Sequence, residues 1–406
     1  MRAPLSVLIV VALLAGLVVG PLVGTAGADL GEVGKIVIQL IKAAATPLVF
    51  LAIVHAIVTT DVAGRDGARM VGFATFNACV ALSIGLVLSN LLRPGTGLKA
   101  FTTPKDVEPP TTDRVDFVGT FTSHLPQDIV TPFADNAVLS VVLLALLVGF
   151  GLRRTRREQI EKGETRFQVV EDAIVTLLRA NEAILGWVVL LVPFAVFAVV
   201  VMTVGKYGYA PFRGLAVYVG VGLLGLTLHV AVTYQAWLLL RWRGPLAVFW
   251  REAREPVIYA AGANSSLATL PLTLAALDRL GVRRSSSALG ACVGTNFNND
   301  GILLYEGMAV LFVAQAAGID LTLSQQVIVA LSALVAAMGV AGVPEAGVVS
   351  MTLVLNTVDL PTEIVPLLLT VDWVVARARS VVNVLSDMVL SILVDGPAPA
   401  AARPGV

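Results

Sequence analysis

Three polar residues near the C-terminal end of the chain, Arg379, Asn383 and Asp387, recur at i, i+4 and i+8 within an otherwise apolar run. On a helix that spacing gathers them on one stripe, with Asp372 seven residues upstream on roughly the same side. An ionised side chain at the centre of a membrane helix costs about 2.5 to 3.5 kcal/mol even on the mildest insertion scale, so Arg377, Arg379 and Asp387 must face protein or water. The planar guanidinium fork of an arginine matches a carboxylate, a geometry an ammonium lacks. The stripe therefore reads either as an anion-binding site or as an Arg–Asp pair that pins its helix.

A second cluster lies upstream. Asn296, Asn298, Asn299, Asp300 and Gly301 are poor helix formers inside an apolar segment, so local unwinding is expected there. With Asn383 and Asp387 they supply hard oxygen ligands of the kind alkali and alkaline-earth ions prefer, and sodium fits better than calcium. The alternative is an Asn/Asp network that only joins helices. Glu306, six residues after Asp300, is either a proton-carrying carboxyl or a structural ion-pair partner.

Other chemistries find no support in the residue pattern. Cys79 and Cys292 lie in apolar segments without C-x-x-C spacing and read as small core residues, not as a disulfide or zinc site. His55, His124 and His229 are scattered, and no hydrolase or nucleotide-triphosphatase signature is present, so an enzyme is not expected.

The elements that must carry these residues follow from composition. Hydrophobic residues make up 57% of the 406 residues and charged residues only 14%, where about 25% is usual in a soluble domain. The 28 basic residues balance the 28 acidic ones, which leaves no basic field for nucleic acid. The expected class is an all-α polytopic membrane protein. A span needs about 20 mostly apolar residues, and candidates fall at 4–24, 36–59, 71–92, 130–152, 182–203 and 212–240. The first also fits a signal peptide, but with five further spans a retained helix is expected. Arg2, Arg65 with Arg69, the set Arg153 to Arg157 and the set Arg241 to Arg254 all fall on one side if the N-terminus is cytoplasmic. The segments near 25–34 and 94–126 are then external.

After Arg254 the apolar runs shorten. One is broken at Gly262-Ala263-Asn264-Ser265-Ser266, with Pro271 early in its resumption, and a second, 326–360, is broken between Gly339 and Gly347. Each is followed by a polar-bearing span, 286–316 and 364–394, so hairpin and helix repeat in order. Paired interrupted segments point to the binding site of a secondary transporter, because unwound backbone is tolerated at bilayer depth only beside protein or water, and half-helix N-termini attract carboxylates. Asn264-Ser265-Ser266 also matches a glycosylation sequon, but the orientation puts it on the cytoplasmic side, where it reads as donors at a half-helix start.

These residues resemble the glutamate and dicarboxylate:cation symporters. Asn264-Ser265-Ser266-Leu267-Ala268-Thr269-Leu270-Pro271 is similar to that family's serine-rich hairpin tip, Asn298-Asn299-Asp300-Gly301-Ile302 to its N-M-D-G-T, Ala341 to Gly347 to its second tip, and Val371-Asp372-Trp373 through Asp387 to its last helix. The motifs cover about 255–395, and the element Arg93-Pro94-Gly95-Thr96-Gly97 agrees too. The resemblance implies eight transmembrane helices plus two re-entrant helical hairpins, a homotrimer in the cell membrane with both termini cytoplasmic, and elevator-type alternating access. Residues 1–254 would form mainly the scaffold, with helices 3 and 6 moving with the transport region at 255–395, and 396–406 a disordered tail. Arg379 would bind one substrate carboxylate, and Ser265, Ser266, Val343, Gly347 and Asn383 the rest, near Ala376 and Arg377. Gly294, Asn298, Asn383 and Asp387 would form one sodium site. Carbonyls near Asn296, Ala337, Met338 and Val340 would form a second, and Asn298 with Asp300 would belong to a third.

Departures from the family pattern refine the expectation. Amino-acid carriers hold an Asp three residues before the Arg to grip the ammonium, and here that position is Ala376. Losing a charge-assisted bond of about 1.5 to 3 kcal/mol weakens an amino acid roughly ten- to a hundredfold without penalising a substrate that has no amine. Ile302 replaces the Thr of N-M-D-G-T, and Ala74, Asn77 and Ala78 stand where the family has hydroxyl ligands in the third span. The expected function is sodium- or proton-coupled uptake of a small organic anion, a C4-dicarboxylate first. An acidic amino-acid symporter and an uncoupled anion channel or sensor are the alternatives.

Overall fold

The computed structural model describes residues 5–59, 65–98, 125–135, 137–296, 298–339, 346–358 and 360–397. Among the described residues the regular structure is entirely helical, as apolar runs in lipid require, since a helix satisfies its own backbone groups. Helices of 12 residues or more run as α1 (Leu5–Val23), α2 (Gly31–Thr59), α3 (Arg65–Leu92), α4 (Val138–Glu161), α5 (Phe167–Val189), α6 (Val192–Tyr207), α7 (Ala210–Leu228), α8 (Leu246–Ala263), α9 (Ser266–Arg279), α10 (Asp300–Ala316), α11 (Leu323–Gly339), α12 (Ala346–Thr357) and α13 (Val365–Asp395).

Five stretches among the described residues are long and apolar enough to cross a membrane: Val7–Gly27, Gly31–Thr59, Arg65–Leu92, Phe167–Tyr207 and Ala210–Trp242. Six were expected before residue 254. The one not among the five falls on α4, whose apolar run from Val138 ends at Leu152, where Arg153, Arg154, Arg156 and Arg157 take over. The 31-residue α13 has the length but carries Asp372, Arg377, Arg379 and Asp387 along it. The external connection expected near 25–34 is a tight 3₁₀ turn, Gly24–Leu30, leading straight into α2. Most of the Pro/Thr-rich loop and of the C-terminal tail, residues 99–124 and 398–406, lies outside the described residues.

The chain divides into two compact units. The first comprises Met1–Thr59, Ser89–Val221 and Ala309–Trp373. In it α1 lies against α6 through Gly16 and Gly20, where a Cβ would come within 2.8 Å of Val200 and 2.7 Å of Val204. Such small residues four apart let membrane helices approach closely, where dispersion contacts drive association. Pro47 interrupts the hydrogen-bond ladder of α2. One turn away, the Asn181 amide of α5 donates to the Ala44 carbonyl at 3.2 Å and accepts from the Leu48 amide at 2.9 Å. Farther along, Gln315 accepts from the Gly95 amide at 3.0 Å and donates to the Ser89 carbonyl at 2.8 Å, fixing the Pro94–Leu98 turn.

The second unit comprises Thr60–Leu88, Gly222–Met308 and Val374–Val406. Met70 and Ala74 of α3 pack on Leu390 and Val394 of α13, with Phe73, Leu289 and Val293 around them. Arg279 at the end of α9 donates to Glu252 of α8 at 2.6 Å and closes the base of that hairpin. Hydrogen bonds from Arg279 and then Arg251 hold the Glu252 carboxyl below the usual carboxylate range. Asp395, the last residue of α13, accepts from Arg283 Nε at 2.6 Å and Ser286 Oγ at 2.8 Å. Both cysteines are free, and the core placement expected for them does not hold: Cys79 is exposed and Cys292 half-buried. Cys79 faces outward on α3 in an apolar groove of about 340 Å³ lined also by Phe76, Val80, Val87 and Leu228. At bilayer depth an outward face is apolar too, so hydrophobicity does not distinguish it from a core.

Candidate functional site

The first broken hairpin is built by two residues. Asn264 ends α8 in the left-handed region (φ 52°, ψ 40°), a conformation asparagine tolerates better than most side chains. Ser265 then turns extended and caps α9, its Oγ accepting from the Ala268 amide at 3.1 Å. Ser266 is thus the first helical residue, and the amides of the first turn carry the partial positive charge that attracts anions. Ser380 Oγ donates to Asn264 Oδ1 at 3.1 Å, which ties the tip to α13 one residue from Arg379.

The Asn-rich run unwinds as its composition requires. A π-turn at Ala288–Val293 and a 3₁₀ turn at Gly294–Asn296 precede the break, and α10 begins only at Asp300. Across the break the Asn298 amide donates to the Gly294 carbonyl at 2.7 Å. The Gly301 amide donates to Asn383 Oδ1 at 2.9 Å, and Asn383 Nδ2 donates to Asn299 Oδ1 at 3.3 Å. A Cβ on Gly301 would stand 2.6 Å from the Arg379 carbonyl oxygen, so glycine is what lets the start of α10 touch α13. Asn298 Nδ2 donates to Ser386 Oγ at 2.7 Å, and Ser386 Oγ donates to Asp300 Oδ2 at 2.5 Å. Thr295 and Asn298 reach the Asp387 carboxyl.

Arg379 is 4% exposed, and its guanidinium carbon lies 4.0 Å from the centroid of the Tyr305 ring. A cation over an aromatic face is stabilised most where water is excluded. Glu306, fully enclosed, stands within electrostatic reach of the same guanidinium. Arg377 is only partly enclosed, and Ala376 is buried.

Within the second unit, then, Arg379, Asn383 and Asp387 come together with Asn298, Asp300 and the segment from Gly294, and Ser265 and Ser266 stand at the tied hairpin tip. Ala337 and Met338 close α11, and Gly347 opens α12; these belong to the first unit. Val340 and Val343 lie outside the described residues. Sequence reasoning missed His229, Tyr234 and Ser386. Tyr234 OH donates to Asp300 Oδ2 at 2.8 Å, and His229 Nε2 lies 3.3 Å from the same oxygen. The available signal was a histidine in the middle of an apolar span, where a polar group is expensive and calls for a partner. Asn77, buried among Ala74 and Ala78 in α3, accepts from Trp237 Nε1 at 2.7 Å.

Comparison with known proteins places this chain in a family. Residues 5–396 match the sodium:dicarboxylate symporter family. A protein of Laribacter hongkongensis named C4-dicarboxylate transport protein is 29% identical over 414 residues, covering 95% of this chain and 88% of that protein. Proteins of the same name from Rhodospirillum rubrum and Rhizobium etli are 32% identical over 409 residues and 30% identical over 410. Each alignment covers 96% of this chain, with 87% of the former relative and 88% of the latter. The chain belongs to the sodium:dicarboxylate symporter family and is a transporter, not an enzyme.

Proposed function

We propose that this protein is a secondary active symporter that uses a sodium gradient to take up a C4-dicarboxylate. The observation that carries the reading is Arg379, a guanidinium enclosed beside Tyr305 on the stripe that also holds Asn383 and Asp387. An enclosed cation of that shape suits a carboxylate brought from water, and the capped N-terminus of α9, tied to α13 through Asn264 and Ser380, offers amides for a carboxylate close by. Ala376 supplies no acid at the position where amino-acid carriers grip the ammonium, which supports a substrate without an amine. The names of the relatives point the same way.

Sodium is the proposed coupling ion, held by oxygens of Gly294, Asn298, Asn383 and Asp387 and, in a further site, of Asp300; Glu306 is the group a proton would use. The proposed architecture is eight spans with two re-entrant hairpins in a homotrimer, with 255–395 moving by elevator-type alternating access against a scaffold drawn mainly from 1–254. The test is uptake of labelled succinate and aspartate into proteoliposomes with an inward sodium gradient, an inward proton gradient or neither. Sodium-driven succinate uptake with little aspartate is expected. Flux linear in substrate and indifferent to both gradients overturns coupling in favour of a channel, and aspartate uptake equal to that of succinate overturns the Ala376 argument.

A further inference from the structure

The end of α7 departs from α-helical geometry where it meets Asp300. His229–Tyr234 forms a π-turn. In an α-helix two residues five apart point about 140° away from each other, and the wider π-turn brings them to one face. Here the two rings stand edge to face with centroids 4.8 Å apart, and both reach Asp300 Oδ2. Ser386 supplies a third donor to the same oxygen. All of these side chains are enclosed, His229 and Asp300 completely.

The two oxygens of Asp300 therefore live differently. Oδ2 is saturated by protein donors, whereas Oδ1 meets no donor among the described residues, and neither does Oδ1 of Asn298 or of Asp387 in the same cluster. Leaving a buried carboxylate oxygen bare is expensive unless a cation or proton comes to it. We infer that the His229–Tyr234 π-turn is a positioning device for cation binding: by occupying Oδ2 it fixes the plane of the Asp300 carboxylate and leaves Oδ1 as its single ligand atom. His229 and Tyr234 touch neither substrate nor cation in this scheme. They set how well Asp300 holds the ion, and a helix with ordinary α-geometry at this point would present only one of them.

This inference rests on the cation coupling proposed above. The experiment uses purified full-length protein, with sodium alone titrated against thermal unfolding, and sodium-dependent succinate uptake in proteoliposomes. Tyr234→Phe removes one donor oxygen. It is expected to raise the half-saturating sodium concentration roughly three- to tenfold in both assays, while the succinate KM at saturating sodium changes less than about twofold. His229→Ala shifts sodium the same way, and His229→Gln, whose amide keeps an N–H for Oδ2, recovers most of the loss. Sodium and succinate constants that rise together, a sodium constant that does not move, or a Gln variant no better than Ala overturns the inference. If Tyr234→Phe yields no folded protein, the Ala and Gln pair at position 229 decides alone. Absence of any sodium effect on the parent protein defeats the coupling reading itself and this inference with it, and is told apart because it shows before any substitution is made.

Discussion

In the first unit α1 meets α6 through Gly16 and Gly20 against Val200 and Val204, and among the described Asp, Glu, His, Lys and Arg side chains only Asp372 is buried there. In the second unit His229, Asp300, Glu306, Arg379 and Asp387 are all buried. Both units face the same solvent problem, since lipid outside gives no hydrophobic reward for packing apolar groups inside. The first solves it with close backbone approach and dispersion. The second accepts the desolvation of several charges, which stability alone does not favour, because an apolar core of the same volume is at least as stable. The contrast supports the proposal that the second unit does the transport work, and on that reading substitutions in the two units should fail in different ways.

The largest expected effect is at Arg379. Replacing it by Ala removes the enclosed cation and should lower gradient-driven succinate uptake at least a hundredfold; Arg379→Lys should restore little, because a point charge does not reproduce two parallel bonds to a carboxylate. Uptake by the Ala variant within a few-fold of the parent would erase the functional half of the comparison. Next is Ala376→Asp, three residues earlier on the same helix. The new carboxylate competes with substrate for Arg379 and offers a partner to an ammonium, so succinate uptake should fall roughly tenfold while the ratio of aspartate to succinate uptake rises. A fall in both substrates with an unchanged ratio would show that position 376 does not face the substrate.

Much of this site was legible in the sequence. The i, i+4, i+8 stripe, the Asn-rich break and the Asn264-Ser265-Ser266 cap are each set by local rules of spacing and propensity, and the helix ends fall where those rules put them. His229 and Tyr234 were not legible as a pair. Five residues apart, they lie on different sides of any α-helix, and only the π-turn puts them on one carboxylate. The fourth expected span, 130–152, also differs, because its long helix begins only at Val138 after the separate short helix Thr131–Ala134, which leaves an apolar run from Val138 to Leu152 ahead of the arginines. Cys79 was misplaced because small and apolar describes an outward face in lipid as well as an interior.

Asn181 tests the other unit. Its side chain bonds both the Ala44 carbonyl and the Leu48 amide, which stand i and i+4 in α2, so Asn181→Ala removes two hydrogen bonds between α5 and α2. The loss of about 1–3 kcal/mol should lower the melting temperature by roughly 2–6 °C. The half-saturating sodium concentration of the protein that remains folded should be unchanged, where Tyr234→Phe shifts it. An Asn181→Ala variant with altered sodium affinity would break the division of labour between the units.

The smallest effect is expected at the base of the first hairpin, where Arg279 holds Glu252. The pair is partly open to water, and such pairs contribute little, so Arg279→Ala should change uptake at pH 7 by less than roughly twofold and lower the melting temperature slightly. The sign of its pH dependence follows from the carboxyl. The Glu252 pKa is depressed in the folded protein by Arg279 and Arg251, so its contribution is fully present above the ordinary glutamate pKa, about 4.3, and is lost as pH falls through the lower folded value. The difference in melting temperature between parent and Arg279→Ala should therefore be constant from neutral pH down to about 5 and shrink below about 4. A difference that stays constant or grows on acidification would mean that Arg279 stabilises the fold without the Glu252 carboxylate, and that the hairpin base is held together by something other than this pair.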